Sequence, residues 1–268
     1  MMLRRVSWLG PCVLIWMALA VCAQDSKPPA KLKALFITGG GYHDFKKLAP
    51  YLTDKVSQQA SVQWEIKWED EVLKDAKLGE GFDAIVYDMC FDEADPATME
   101  NVLKATRNGK PTVAIHCANH SFKKYDEWRR LLGMVTRIHD PYQALGAEKV
   151  NKHHPVMKSF PDDWKSGGDE LYQTVEMGKD ADVLLKVTSP HSGKVHNVCW
   201  THQYGLGRVF GTTLGHDMKT AEQPAYHRLV AYGLLWACGK LGPDGKPLPG
   251  YAGPGGNEEF VERTAKPF

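Results

Sequence analysis

Residues Lys33-Ala-Leu-Phe-Ile-Thr38 run without a break into Gly39-Gly-Gly-Tyr-His-Asp44. A short apolar run is halted by three glycines, and a helix-spaced pattern starts at Phe45. A strand that breaks into a Gly-rich turn and then a helix is the opening unit of an open α/β sheet, whose ligands bind outside the carboxyl ends of the strands. The chain therefore sets a histidine and a carboxylate, His43 and Asp44, where such sheets do their chemistry. Gly39-Gly-Gly41 lacks the G-x-G-x-x-G spacing and the acidic residue of a dinucleotide site, so no nucleotide cofactor is expected. Gly40 and Gly41 are instead expected to let the backbone approach a ligand closely.

The pattern that follows supports the same class. Leu48, Leu52 and Val56 recur every four residues and predict a helix over Phe45–Ala60. Val62, Trp64, Ile66 and Trp68 alternate and predict a strand. Asp83–Tyr87 and Pro111–His116 read as buried strands, Asp95-Pro96 as a helix start and Asn108-Gly109 as its end. Tyr125–Leu132 reads as a helix. Strands alternating with helices imply a parallel sheet covered on both faces. The second half is richer in strands: Gly146–Lys152, Leu171–Glu176 and Val183–Val187 read as extended. Asn197–Tyr204 and Arg208–Leu214 flank Gly205-Leu-Gly207 as a hairpin. Pro224–Cys238 closes the domain as a helix.

The two ends differ from this body. Arg4-Arg5, an apolar stretch over 6–21 and small residues before Gln24 predict a cleaved export signal over 1–23. Attachment of a lipid at Cys22 ranks second. The mature chain then carries no membrane span and is periplasmic or secreted. The signal takes two arginines from the 33 basic residues and none of the 32 acidic ones, so the formal charge becomes −1. That charge, with no Lys/Arg run, speaks against nucleic acid. Residues 24–240 are read as one domain and 241–268, rich in Gly and Pro, as an extended tail. Cys90, Cys117, Cys199 and Cys238 remain, in a spacing that matches no zinc ribbon.

Five histidines stand at or near predicted strand ends: His43, His116, His120, His202 and His216. Asp44, Asp88, Glu170 and Asp217 are the carboxylates close to them in this reading. Imidazole with carboxylate suits a divalent metal, Zn²⁺ first, and equally suits acid–base work near neutral pH. His153-His154 reads as a turn and His191 as a loop residue. Cys117, just past a strand, has the position of an elbow nucleophile but no glycine beside it; Cys90 and Cys117 could pair or flank the pocket.

Phe36-Ile-Thr-Gly-Gly-Gly-Tyr-His-Asp44, Val113-Ala-Ile-His116, Asp169-Glu-Leu-Tyr172, Val198-Cys-Trp-Thr-His-Gln-Tyr-Gly-Leu-Gly-Arg-Val-Phe210 and Thr213-Leu-Gly-His216, in this order, resemble the ThuA-like (trehalose utilization) family. The resemblance implies a three-layer α/β/α sandwich, flavodoxin-like, of the class I glutamine amidotransferase type. In amidotransferases a cysteine occupies the elbow where this chain has His116, so the amidotransferase triad is expected to be absent. Cys117 stands where family members commonly have glycine.

The resemblance further implies a role in sugar metabolism, beside sugar oxidoreductases, with keto-glycosides or disaccharides as substrates. By position it implies His43, His116, Glu170, His202 and His216 as metal ligands, with Asp44 and Asp217 orienting them. His116, His43 and Asp44 are the expected catalytic groups. Gly40, Gly41, Tyr42, Tyr172 and Trp200 are expected to contact the sugar. A non-catalytic sugar-binding module is the alternative, followed by a cysteine hydrolase built on Cys117.

Overall fold

The computed structural model describes residues 31–256. The expected export signal and Cys22, and residues 257–268 of the tail, lie outside the described residues. The elements run β1 (Leu32–Gly40), α1 (Phe45–Gln59), β2 (Val62–Trp68), β3 (Ala84–Cys90), α2 (Pro96–Arg107), β4 (Thr112–Ile115), α3 (Asp126–Leu132) and β5 (Met134–His139). They continue with β6 (Glu148–Lys149), β7 (Tyr172–Met177), β8 (Asp182–Thr188), β9 (Val195–Tyr204), β10 (Gly207–Thr212), α4 (Met218–Ala221) and α5 (Pro224–Ala237).

One eight-stranded sheet has the order β2-β1-β3-β4-β10-β9-β8-β6. The first five are mutually parallel and the last three antiparallel to their neighbours. Because successive strand residues face opposite sides, each strand feeds two cores. On one side Ala34 and Phe36 of β1 meet Ala49, Leu52 and Val56 of α1 and Leu229, Val230 and Leu234 of α5. On the other, Leu35 and Ile37 meet Met99, Val102 and Leu103 of α2 and Trp128 and Leu131 of α3. The result is the three-layer α/β/α sandwich expected from the sequence. Asp95 caps α2, its Oδ1 accepting from the Ala97 and Thr98 amides at 2.9 Å; Pro96 fills the first turn, where no amide partner is needed.

Three features differ from the sequence reading. The strand expected over Gly146–Lys152 shrinks to the two residues of β6, since only Glu148 and Lys149 find partners on β8. The hairpin loop is Gly205-Leu206, with Gly207 already in β10. Residues Met134–His139, which carry no clean alternation, form β5 and pair with β7 in a separate two-stranded sheet. One end of that small sheet, where His139 pairs with Tyr172, reaches the carboxyl edge of the main sheet and carries site residues there; its other end, with Gly133 and Gly178, packs against His202. The tail follows the body as far as it is described: Gly253 N–H donates to Gln59 O at 3.1 Å and the Tyr232 hydroxyl to Gly256 O at 2.8 Å. Among the described residues no helix is long and apolar enough to cross a membrane.

Candidate active site at the carboxyl edge of the sheet

The chain leaves β1 for a helix on one face of the sheet and leaves β3 for a helix on the other. Between these neighbours the topology reverses, and a crevice opens at the strand ends. His43 follows β1, Cys90 ends β3, His116 follows β4 and His216 follows β10. Glu170 arrives from the segment leading into β7, and Tyr172 is the first residue of that strand. A cleft of about 180 Å³ is lined by His43, His216, Glu170, Tyr172, His120 and His139, with Tyr42, Asp92 and Lys123 at its rim.

His116 is the centre. Its backbone has φ 43°, in the left-handed region that a side chain with a Cβ enters at a cost of about 1–3 kcal/mol. Asn119 holds that bend: its Nδ2 donates to His116 O at 2.9 Å and to Thr212 O at 3.0 Å. The imidazole is buried, with Nδ1 at 2.7 Å from Thr213 O. A carbonyl only accepts, so Nδ1 carries the proton and the lone pair sits on Nε2, directed into the cluster.

Around that lone pair stand three polar groups. His216 Nδ1 lies 3.3 Å from it, the Tyr172 hydroxyl 3.4 Å and Glu170 Oε2 3.7 Å. Glu170 Oε2 is also 3.3 Å from His216 Nδ1, and its other oxygen is 3.7 Å from His139 Nδ1. One ligand nitrogen from each of His43, His116 and His216 falls within 4.8 Å of the others. A tetrahedral Zn²⁺ with bonds of 2.0–2.1 Å sets neighbouring ligand atoms about 3.4 Å apart. The His116 Nε2, His216 Nδ1 and Glu170 Oε2 triangle has that size, and the hydrogen bond from His116 Nδ1 to a carbonyl is the orienting contact that metal-ligating imidazoles use.

The electrostatics divide the histidines. Burial, and then the charge of His216, lower His43 to about 4. Burial, and then the charge of His43, hold His116 well below its ordinary value. Burial and Lys123 bring His120 to about 4. His216 goes the other way: burial opposes its charge, but the hydrogen bond and charge of Glu170, with Asp169 and Asp217 behind them, raise it. Burial pushes Glu170 up, while its hydrogen bond to His216 and the neighbouring imidazoles outweigh that and lower it. Three imidazoles are thus kept neutral, and His216 holds its proton most strongly; a cation bound at its Nδ1 would displace that proton.

His43, His116, His216 and Glu170 come together as expected, with Tyr42 at the rim. Other expectations are corrected. His202 stands at the opposite end of the sheet, because β9 runs antiparallel: His202 pairs with Val209, which pairs with Thr112 at the start of β4. There its Nε2 donates to Arg130 O at 3.1 Å and its ring packs on Gly133. Asp44 faces solvent and pairs with Lys47 at 2.9 Å instead of orienting an imidazole. Trp200 is core: fully buried, it donates from Nε1 to Leu132 O at 2.7 Å, and its ring fills the space that a Cβ on Gly211 would need.

Tyr172 lines the cleft, but its ring is stacked on His120 at 3.9 Å between centroids, so its hydroxyl and not its face is offered. Gly40 serves the fold, since a Cβ there would stand 2.2 Å from Cys90 O; Gly41 faces open space. Asp217 caps α4 and accepts from the Tyr142 hydroxyl at 2.6 Å, and Tyr142 in turn packs against His216. Asp88 is buried within β3. Cys117 is joined to Cys90 in a disulfide and offers no free thiol.

Sequence reasoning missed Asp169. It is wholly buried, and its carboxylate accepts from the Gly215 amide at 2.8 Å, the Glu170 amide at 3.1 Å and the His216 amide at 3.3 Å. It thereby clamps the two loops that supply Glu170 and His216. The adjacent acids Asp169-Glu170 were the available signal; which of the two pointed inward was not. His139 and Lys123 were also missed, because nothing local marks β5 or the turn after His120 as site-facing.

The sequence pattern of the ThuA family, described as trehalose utilisation, matches residues 33–237. No curated protein matches the sequence. Among solved structures the fold is similar to a ThuA-like protein from Parabacteroides merdae (TM-score 0.71, 22% identity, 84% of this chain and 97% of that one). It is also similar to a ThuA-like protein from Bacteroides uniformis (TM-score 0.66, 18% identity, 80% and 95%). A Thermoplasma acidophilum protein described as a GMP synthase component is similar at TM-score 0.52 and 12% identity over 79% and 96%. At these identities the likeness concerns the fold, which is that of the class I glutamine amidotransferases.

Proposed function

Since this chain belongs to the ThuA family and so to carbohydrate metabolism, we propose that its carboxyl-edge cleft holds a divalent cation, Zn²⁺ by preference, and processes a keto-glycoside or keto-disaccharide. The observation that carries the reading is the triangle of His116 Nε2, His216 Nδ1 and Glu170 Oε2, with sides of 3.3, 3.3 and 3.7 Å. Three nitrogen and oxygen donors of that spacing, with His43 adjoining, match a catalytic zinc set that keeps a position open for substrate. A bound cation there would supply Lewis-acid polarisation of a keto or hydroxyl oxygen.

The remaining work falls to this chain's side chains. The cleft of about 180 Å³ is small beside the ~300–1,000 Å³ usual for larger ligands, so it suits one sugar unit with the rest of the glycoside outside. Asp92, Lys123 and the Tyr42 hydroxyl stand at the rim to bind sugar hydroxyls. His120, kept neutral by burial and by Lys123, can accept a proton from a carbon beside the keto group or from water. The Tyr172 hydroxyl can return one. Hydrolysis, elimination and isomerisation all fit that set. The protein would act outside the cytoplasm, beside a sugar oxidoreductase that makes or consumes the keto-sugar; the Cys90–Cys117 disulfide supports export, since such bonds persist in oxidising compartments.

Metal analysis with a turnover assay on 3-keto-disaccharides tests this reading. About one zinc per chain and release of monosaccharide or isomer are expected, both lost on chelation and in Glu170→Gln. Full turnover by metal-free protein overturns the cation and favours a metal-free acid–base site, for which the 3.3 Å contact of His216 Nδ1 with Glu170 Oε2 is the supporting observation. Binding of the sugar without turnover overturns catalysis and leaves a binding module.

A further inference from the structure

The Cys90–Cys117 disulfide is not remote from the imidazoles. It joins the end of β3 to the turn that carries His116, lines the same cleft and packs with Phe45 in a small apolar cluster. One ring nitrogen of His43 and the sulfurs of Cys90 and Cys117 all lie within 4.8 Å of one another. His43 is therefore common to two constellations: one with His116 and His216, the other with the two sulfurs. The Cα atoms of Cys90 and Cys117 are 5.1 Å apart, so once the S–S bond is broken, side-chain rotation alone can open the sulfurs to the ~3.8 Å of two thiolates on one zinc ion with Zn–S bonds of about 2.3 Å.

We propose that reduction of Cys90–Cys117 creates a second, thiolate-containing site for a soft divalent cation, formed by Cys90, Cys117 and His43. Its occupation withdraws His43 from the histidine cluster. The reductant is a dithiol. It delivers two electrons and two protons to the S–S bond, giving two protein thiols, and leaves as its own disulfide. Cation binding then displaces one proton from each thiol to solvent. Thiolates outcompete imidazole and carboxylate for zinc-like ions, so the redox state of this pair decides which cluster holds His43. In an oxidising compartment the sulfur site is closed and the histidine cluster keeps its full set; under reducing conditions the pair opens. The sulfur site stands on its own geometry and shares only His43 with the function proposed above.

Cobalt(II) is the probe. Full-length protein is reduced with a dithiol, desalted without oxygen and titrated with Co²⁺ beside the untreated protein, with free thiols counted in both. The reduced protein is expected to gain two thiols and an intense near-ultraviolet sulfur-to-cobalt absorption that the oxidised protein lacks. Cys90→Ser/Cys117→Ser is expected to lack the band under both conditions, and His43→Ala to weaken Co²⁺ binding by the reduced protein about tenfold or more. A reduced protein with its two new thiols and no such band overturns the proposal. So does a band that survives in the double serine variant, which would arise from one of the other four cysteines, and so does unchanged affinity in His43→Ala. Weak visible ligand-field absorption by the oxidised protein reads the histidine site independently, so failure there overturns the cation of the proposed function and leaves the sulfur site standing.

Discussion

The imidazole Nδ1 of His116 lies 2.7 Å from the carbonyl oxygen of Thr213, and this contact joins the turn after β4 to the segment after β10. It fixes which nitrogen of His116 is free, and it holds an imidazole in place on a backbone bent into the left-handed region.

That bend separates function from stability at one position. His116→Gly is expected to be more stable than His116→Ala by about 1 kcal/mol, because glycine enters φ 43° without the penalty of a Cβ. Under the function proposed above, both variants bind no zinc. Urea denaturation with metal analysis checks both; an alanine variant as stable as the glycine one would show that the bend relaxes on substitution.

Position along the sheet makes His202 a sharp control. His202→Ala is expected to leave zinc content and turnover within about twofold of the parent. It should destabilise the fold by roughly 1 kcal/mol through loss of the 3.1 Å hydrogen bond to Arg130 O. Loss of zinc in this variant would return His202 to the ligand set.

Asp169 clamps rather than reacts. In Asp169→Asn an amide nitrogen takes the place of one carboxylate oxygen among three backbone N–H donors, so a buried donor faces another donor at a cost of about 1–3 kcal/mol. The loop carrying His216 should exchange its amide protons faster, at Gly215 and His216 first. Unchanged hydrogen exchange there would remove the clamp from the account.

Buried Asp88 makes stability depend on pH. Burial raises its carboxyl from 3.8 to about 7 in the folded protein. The folded state therefore holds this proton where the unfolded chain has released it, and the contribution is whole below about pH 4 and lost as pH rises to 7. Asn cannot ionise, so Asp88→Asn is expected to gain stability relative to the parent between pH 4 and pH 7, by about 4 kcal/mol at most. Denaturation curves at pH 5 and pH 8 compare the two; a gap that does not widen with pH would mean that Asp88 is not neutral in the fold.

Periodicity carried most of the architecture. The alternation of Val62, Trp64, Ile66 and Trp68 gave a strand over Val62–Trp68 with the boundaries found, and Asp95-Pro96 gave the start of α2. β5 escaped because its Arg137, Ile138 and His139 are all exposed: a strand of a two-stranded flap buries too little to impose alternation. The site was legible where one residue follows a parallel strand, as at His43, His116 and His216, since parallel strands deliver their ends to one edge. His202 failed that rule because the hairpin at Gly205-Leu206 reverses the chain, so the end of β9 lies at the opposite edge from the end of β10. Trp200 failed because an aromatic residue inside a strand reads alike whether it meets a sugar or Gly211.

The sequence by itself determined the class of fold, the order of the parallel strands' elements and the histidines that end them, because these follow from local spacing and turn chemistry. Only the tertiary structure decided which of those histidines meet, that Asp169 buttresses two loops, and that Cys117 is paired with Cys90 beside the cleft. Those relations join residues far apart in the chain, such as His116 with Thr213 and with Glu170, and they are set by the order of the strands in the sheet, which long-range packing fixes and no local pattern encodes.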